Sequence, residues 1–192
     1  MAFHNTETVW GLPARLIHWI MAVMIFMMLI FGTIMAGTND LIAKFQMVQT
    51  HKSMGFTVFV LAVVRVLWRW RSPTTPALPQ DMPRWQVAAS HASHHLLYLL
   101  ILAIPLSGWL MVTSSPLNDA DAYPMQVRNM VWGLFEMPDL FATGSEHLSQ
   151  IFASVHWVLT KVLMAILALH VLAALKHQFI DRDGLLMRMI RG

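Results

Sequence analysis

The sequence contains no cysteine and few charged residues. Without cysteine, the chain forms no disulfide, no cysteine-held iron–sulfur cluster, no thiolate-ligated haem and no covalently attached haem. Charged residues make up only 12% of the 192 residues, about half the fraction of a typical soluble domain. Hydrophobic residues make up 57%, and the mean hydropathy is +0.56. These values exclude an ordinary soluble protein and predict an integral membrane protein.

Four long apolar stretches carry little charge. They cover residues 14–37, 50–70, 91–113 and 151–178. Each is close to the roughly 20 residues that a helix needs to cross about 30 Å of hydrocarbon. We therefore predict an all-α fold, an integral membrane four-helix bundle that forms a single domain over residues 1–192.

The basic residues are distributed unevenly between the two ends of these stretches. Cytoplasmic segments carry an excess of lysine and arginine, so both termini and the proline-rich linker Arg71–Ser90 are predicted to be cytoplasmic. The loop Ser114–Gln150, which holds five of the ten acidic residues, then faces the periplasm. Because the basic residues flank apolar stretches, we expect membrane lipid and no nucleic acid as a partner. The larger group is Arg15, Arg65, Arg69, Arg71, Arg84, Lys176, Arg182, Arg188 and Arg191, and the smaller is Lys44, Lys52, Arg128 and Lys161.

Four of the ten histidines fall at matched depths in the predicted spans. His156 and His170 are 14 residues apart on one span, which separates them by about 21 Å and leaves them within about 40° of one helix face. With the orientation above, His51 lies at the outer depth of His156, and His18 at the cytoplasmic depth of His170. Ionisable residues inside a membrane are costly and usually functional, so the pattern indicates two binding sites.

Two b-type haems fit this pattern, because each haem iron takes one neutral imidazole on either side. The pairs are His51 with His156 and His18 with His170. For any single histidine the alternative is an interhelical hydrogen bond. The alternative metal is zinc, which requires three or four ligands at one depth. At the outer depth the remaining histidine, His147, is expected in a loop.

Further histidines lie near the cytoplasmic level. His91, His94 and His95 begin the third span and can either replace a haem ligand or bond propionates, quinone or water. His177 lies seven residues after His170, about 10 Å further along nearly the same face. That position suits a hydrogen bond to a quinone carbonyl and delivery of a proton. The alternative for each residue is a solvated interfacial histidine.

Two arginines lie at the cytoplasmic level as well. Arg65 is 14 residues after His51 and shares a face with it, and Arg15 precedes His18 by three residues. A guanidinium binds a carboxylate in a bidentate fork, so Arg65 is predicted to bind a haem propionate. For Arg15 we prefer the interpretation that it snorkels to the interface.

In these motifs the chain resembles the bacterial cytochrome b561 family, small dihaem membrane cytochromes related to the cytochrome b subunits of hydrogenases. The resemblance covers residues 9–191. The motifs that carry it are RLIHW at Arg15–Trp19, THKSMG at Thr50–Gly55, SHHLLYLLILAIPLSG at Ser93–Gly108, VHWVL at Val155–Leu159 and LHVLAALKHQFIDRDGLLMRM at Leu169–Met189.

The resemblance implies four helices in the bacterial inner membrane and two b-type haems. It also implies iron ligands at His18, His51, His156 and His170 and electron exchange with ubiquinone. Some members oxidise superoxide, and a periplasmic electron donor is the other candidate partner. The excess of acidic residues in the outer loop weighs against superoxide, because an anion is steered by positive charge.

Three functions remain open from the sequence. The first is a free-standing electron carrier or quinone oxidoreductase, with or without superoxide oxidation. The second is a haem-bearing membrane anchor for a separate dehydrogenase or hydrogenase, which would copurify with a large partner. The third is a transporter or metal channel that uses the histidines, which would be colourless.

Overall fold

The computed structural model describes residues 2–118 and 128–192, so Asp119 and Asp121 of the predicted outer loop lie outside the described residues. The described chain is mainly helical, with one two-stranded hairpin, a short 3-10 turn at Pro116–Asn118 and a π-helical turn at His177–Asp181. The helices are α1 Leu12–Gly37, α2 Leu41–Arg71, α3 Arg84–Thr113, α4 Glu146–Lys176 and α5 Leu185–Ile190.

All four long helices begin earlier than the predicted apolar stretches, three of them by five residues or more. Helix α2 begins at Leu41, where Asp40 Oδ1 accepts hydrogen bonds of 2.9 Å from the amides of both Ile42 and Ala43. Such a cap satisfies amides that have no partner within the helix. Helix α3 begins at Arg84 and α4 at Glu146, rather than near residues 91 and 151. Apolar composition marks the part of a helix that meets hydrocarbon, whereas its hydrogen bonding continues into polar residues.

His147 is placed differently from our expectation. It lies in the first turn of α4 and not in a loop, although its side chain is exposed. The reason is again that α4 starts before its apolar stretch, directly after Ser145, whose Oγ accepts a hydrogen bond from the Leu148 amide at 3.4 Å.

Helices α1 to α4 are each long and apolar enough to cross a membrane. Large apolar side chains along them are exposed, among them Ile30 at 62%, Leu99 at 63% and Leu172 at 62%. Such surface is unfavourable in water and favourable against lipid. The predicted class is confirmed: the chain is an all-α membrane protein, with four membrane-spanning helices among its described residues.

The chain divides into two compact units, and each takes a part of every long helix. Unit 1 comprises Met1–Val23, Leu61–Leu100 and Val162–Gly192. Unit 2 comprises Met24–Val60 and Ile101–Lys161.

Within unit 1, the N-terminal segment, the proline-rich linker and the C-terminal helix contact one another. Asn5 Nδ2 donates to the carbonyl of Thr74 at 3.2 Å, and the Ala77 amide donates to the Glu7 carbonyl at 2.8 Å. Arg188 donates to the Ala77 carbonyl at 2.7 Å. These bonds hold the two terminal segments and the linker in one unit. A buried Arg15 joins α1 to the C-terminal helix through the Ile190 carbonyl, at 3.1 Å.

Within unit 2, a hairpin packs against α2. Strands β1 (Met130–Val131) and β2 (Phe135–Glu136) are antiparallel, and the turn between them has positive φ at Trp132 and Gly133. Positive φ suits the two-residue turns of hairpins. The hairpin is attached to α2 by the Trp132 amide, which donates to Ser53 Oγ at 3.0 Å.

Candidate functional site

Two histidine pairs come together, one in each unit. In unit 1, the rings of His18 on α1 and His170 on α4 have centroids 6.4 Å apart. We call this pair and its neighbours the His18 site. In unit 2, the rings of His51 on α2 and His156 on α4 have centroids 6.3 Å apart. We call this pair and its neighbours the His51 site.

Both separations suit an iron held between two imidazoles. A metal–imidazole bond is about 2.0 Å, and the ring centroid lies roughly 1.15 Å behind the bonded nitrogen, so two coaxial imidazoles on one iron have centroids about 6.3 Å apart. The rings of His94 and His170 are 5.4 Å apart, which is too short for that arrangement. The geometry therefore favours His18 over His94 as the partner of His170.

At the His51 site, the surroundings prepare His156 to bind a metal. Its Nδ1 lies 3.0 Å from the carbonyl of Ile104 and 3.1 Å from Ser107 Oγ. A carbonyl only accepts, so Nδ1 carries the proton and Nε2 keeps a free lone pair. Metal-bound histidines usually donate their other N–H to such an acceptor, which fixes the tautomer and raises the basicity of the ligand.

The ring of His51 is held by packing. Phe31 stacks on it with centroids 6.5 Å apart and an angle of 12° between the planes. Its Nδ1 is buried and has no hydrogen-bond partner among residues 2–118 and 128–192, so no bond commits the ring to one tautomer.

Two glycines allow these imidazoles to lie close to neighbouring helices. A Cβ at Gly32 on α1 would lie 3.3 Å from Cε1 of His51. A Cβ at Gly108 on α3 would lie 3.3 Å from Cε1 of His156. Both contacts are tighter than ordinary van der Waals separation, so a side chain at either position would push the ring. These residues and ring positions fit a haem held between His51 and His156.

At the His18 site, an arginine contacts one of the paired imidazoles. Arg65 Nη2 lies 2.9 Å from His18 Nδ1. The same guanidinium lies over the ring of Tyr98 at 5.5 Å, and its Nε donates to Tyr98 Oη at 3.4 Å. The structure thus places Arg65 beside the pair formed by His18 and His170.

The remaining predicted residues lie in the same unit. His177 begins the π-helical turn after α4, and its Nδ1 lies 2.6 Å from Asp183 Oδ2 and 3.0 Å from Asp181 Oδ2. His91 and His95 are exposed on α3, where His95 Nδ1 donates to the His91 carbonyl at 2.6 Å.

A zinc site built from histidines receives no support from the described chain. In residues 2–118 and 128–192, no three histidines bring ring nitrogens within 4.8 Å of one another. The group that meets this distance is His177, Asp181 and Asp183. His177 forms a hydrogen bond with Asp183 and lies within ion-pair distance of Asp181, which also forms an ion pair with Lys176 Nζ at 2.5 Å.

Several residues of these sites were not singled out from the sequence. One is Ser107, which lies within hydrogen-bond distance of His156, 49 residues away in the sequence. The others are Tyr98, which accepts from Arg65 across 33 residues, and Asp183, which accepts from His177 across six. The SG pair at Ser107–Gly108, after Pro105, is a usable signal, because a small residue in a membrane helix marks a close approach. Tyr98 has no such signal.

Comparison with known proteins identifies the family to which the chain belongs. The family model for prokaryotic cytochrome b561 matches residues 9–192. Cytochrome b561 homolog 2 of Escherichia coli strain K12 is 32% identical over 191 residues, which cover 99% of this chain and 95% of the relative. Probable superoxide oxidase CybB of Yersinia pestis is 29% identical over 142 residues, 73% of this chain and 72% of the relative. Cytochrome b561 homolog 1 of Escherichia coli is 28% identical, over 74% of this chain and 73% of the relative.

The region matched by the family model, residues 9–192, is nearly the whole chain. The chain therefore belongs to the prokaryotic cytochrome b561 family, and it is a bacterial membrane b-type cytochrome that transfers electrons.

Proposed function

We propose that the chain binds two haems b and passes electrons between them. His51 and His156 would hold one haem, and His18 and His170 the other. The observation that carries this proposal is the presence of two imidazole pairs with centroids 6.3 and 6.4 Å apart, one in each unit. Haem supplies a reversible one-electron carrier, and the protein tunes it through its axial ligands and their surroundings.

The proposed orientation places both termini and the linker in the cytoplasm and the chain in the inner membrane. The lysine and arginine bias supports it. So do the bonds of unit 1, because Thr74 and Ala77 of the linker accept hydrogen bonds from Asn5 and Arg188 of the two terminal segments. Segments that contact one another directly lie on the same side of a membrane.

Ubiquinone is the proposed exchange partner, at the end of α4 near the His18 site. Quinone reduction needs protons as well as electrons, and His177 is a suitable proton donor. Asp183 Oδ2 accepts a hydrogen bond from His177 Nδ1 at 2.6 Å, so His177 would donate to a quinone carbonyl through Nε2 in its imidazolium form, in which both ring nitrogens carry a proton. His91, His94 and His95 are the other candidate contacts.

Haem content tests this proposal. Purified protein is expected to be red and to contain two b-type haems per chain, as measured by the pyridine haemochrome assay against protein concentration. A colourless protein would instead support a transporter or channel. A content of one would remove one of the two imidazole pairs from the proposal.

Superoxide is a second candidate electron donor, because one relative is named as a probable superoxide oxidase. Two superoxide anions would be oxidised to two dioxygen molecules, and ubiquinone would take the two electrons with two protons. Lys52, next to His51, offers positive charge for steering an anion, whereas Glu136 and Asp139 oppose it. Stopped-flow mixing of oxidised protein with superoxide is expected to reduce the haem, and an unchanged spectrum would remove this candidate.

A further inference from the structure

Arg65 carries a charge that no described carboxylate balances. It lies inside α2, one of the membrane-spanning helices, and among residues 2–118 and 128–192 it forms no ion pair. A cation within a membrane helix is costly unless nearby groups stabilise it. Its contacts are His18 Nδ1 at 2.9 Å and the hydroxyl and ring of Tyr98. The charge of Arg65 thus belongs to the His18 site.

The contact with His18 also limits how the site can be arranged around iron. A guanidinium only donates hydrogen bonds. A neutral imidazole that binds iron through Nε2 carries its proton on Nδ1, so Nδ1 cannot then accept from Arg65. The hydroxyl of Tyr98, already 3.4 Å from Arg65 Nε, is an acceptor that retains the guanidinium in the site. The positive charge therefore stays beside the ligand pair in either arrangement.

The His51 site is built differently. The ring of His156 donates to the carbonyl of Ile104, which makes this ligand more electron-rich. The nearest cation in sequence, Lys52, bonds Asn129 Oδ1 at 3.0 Å, and Asn129 in turn donates to Asp139 at 3.1 Å. Lys52 is thus linked to the carboxylate of Asp139 through the side-chain amide of Asn129.

We propose that Arg65 holds the reduction potential of haem at the His18 site above that of haem at the His51 site. Electrons are thereby directed from the His51 site to the His18 site. This inference rests on the proposed two-haem function. Oxidised haem iron carries one more positive charge than reduced iron, so an adjacent guanidinium favours the reduced form. If the guanidinium instead pairs with a haem propionate, it removes a negative charge from the same site, and the direction of the effect is unchanged.

The expected size follows from Coulomb's law. At an effective dielectric constant near 20, a unit charge several ångströms from the iron changes the equilibrium constant for reduction by roughly tenfold or more. A tenfold change corresponds to about 59 mV for a one-electron couple.

Spectroelectrochemical titration of single-haem proteins tests the proposal. His156→Ala is used to isolate the haem of the His18 site, and His170→Ala to isolate that of the His51 site. We expect the higher midpoint potential in His156→Ala. Adding Arg65→Gln to His156→Ala is expected to lower the midpoint by the equivalent of at least tenfold, whereas Arg65→Lys, which keeps the charge, is expected to lower it by less than threefold.

Lys52→Gln is the matched control, since it also removes one positive charge from α2. It is expected to leave the midpoint of the His18 site unchanged.

Reversed or equal midpoints in the two single-haem proteins would overturn the proposal, as would an unchanged or raised midpoint in Arg65→Gln. A wild-type haem content other than two would count against the proposed function, whereas two haems with the reverse order of potentials would count against the role of Arg65 alone. If Arg65→Gln lost its haem, the proposal would still be tested by comparing the midpoint potentials of His156→Ala and His170→Ala.

Discussion

His51→Ala and His156→Ala are each expected to remove the same haem and to leave one haem per chain. Each variant removes one of the two imidazoles whose centroids lie 6.3 Å apart in unit 2, and a b-type haem has no covalent attachment that would retain it. The His18 site, with its residues in unit 1, is expected to keep its haem. Pyridine haemochrome quantitation gives the count, and reduced-minus-oxidised spectra identify which component is lost.

The matched control is His147→Ala, which removes an exposed histidine from the first turn of the same helix as His156. It is expected to retain two haems. Loss of spectroscopically different haems in His51→Ala and His156→Ala would show that the pairing is incorrect. If both haems were lost, added imidazole would separate the explanations, because it replaces a missing ligand and does not restore an unfolded chain.

His177→Ala is expected to keep both haems and to slow reoxidation of the reduced protein by ubiquinone by a factor on the order of 10². The variant removes the proposed proton donor, which lies seven residues beyond the proposed ligand His170. Asp183→Asn is expected to have a smaller effect in the same direction, because it weakens the hydrogen bond of 2.6 Å that orients the ring. The measurement is single-turnover reoxidation, followed at the haem absorption band after mixing with a soluble ubiquinone analogue.

Other outcomes would reassign His177. Loss of one haem would make it a ligand. Unchanged reoxidation in His177→Ala, with slowed reoxidation in His94→Ala or His95→Ala, would move the quinone site to the start of α3. Unchanged reoxidation in all three would leave these residues as solvated histidines.

The sequence was sufficient to predict four long apolar helices and to pair the histidines whose rings lie close together, while their role as haem ligands stays a prediction. Apolar runs of this length indicate transmembrane helices, and a spacing of 14 residues is nearly a whole number of helical turns. The ends of the helices were less predictable, because apolar composition does not mark them. Asp40 and Ser145 are the signals that could have located two of them, since both residue types are favoured helix caps.

The environment of each pair could not be predicted, because it depends on contacts between helices. That Arg65 reaches His18, and not a residue on another helix, depends on how α1 and α2 pack in unit 1. The contact of Ser107 with His156 likewise requires the register of α3 against α4. Hydropathy indicates how long a helix is, but it gives little information about how the helix is rotated about its own axis. Side-chain contacts between helices, such as these two, therefore require coordinates.

The division of the chain has a consequence for the order of biosynthesis. Unit 2 is complete in sequence at Lys161, and both His51 and His156 lie before that point. Unit 1 combines the first residues with Val162–Gly192, which include His170. A ribosome therefore supplies both imidazoles of the His51 site before it supplies the second imidazole of the His18 site. In a chain interrupted shortly after Lys161, only the His51 site would therefore have both of its imidazoles.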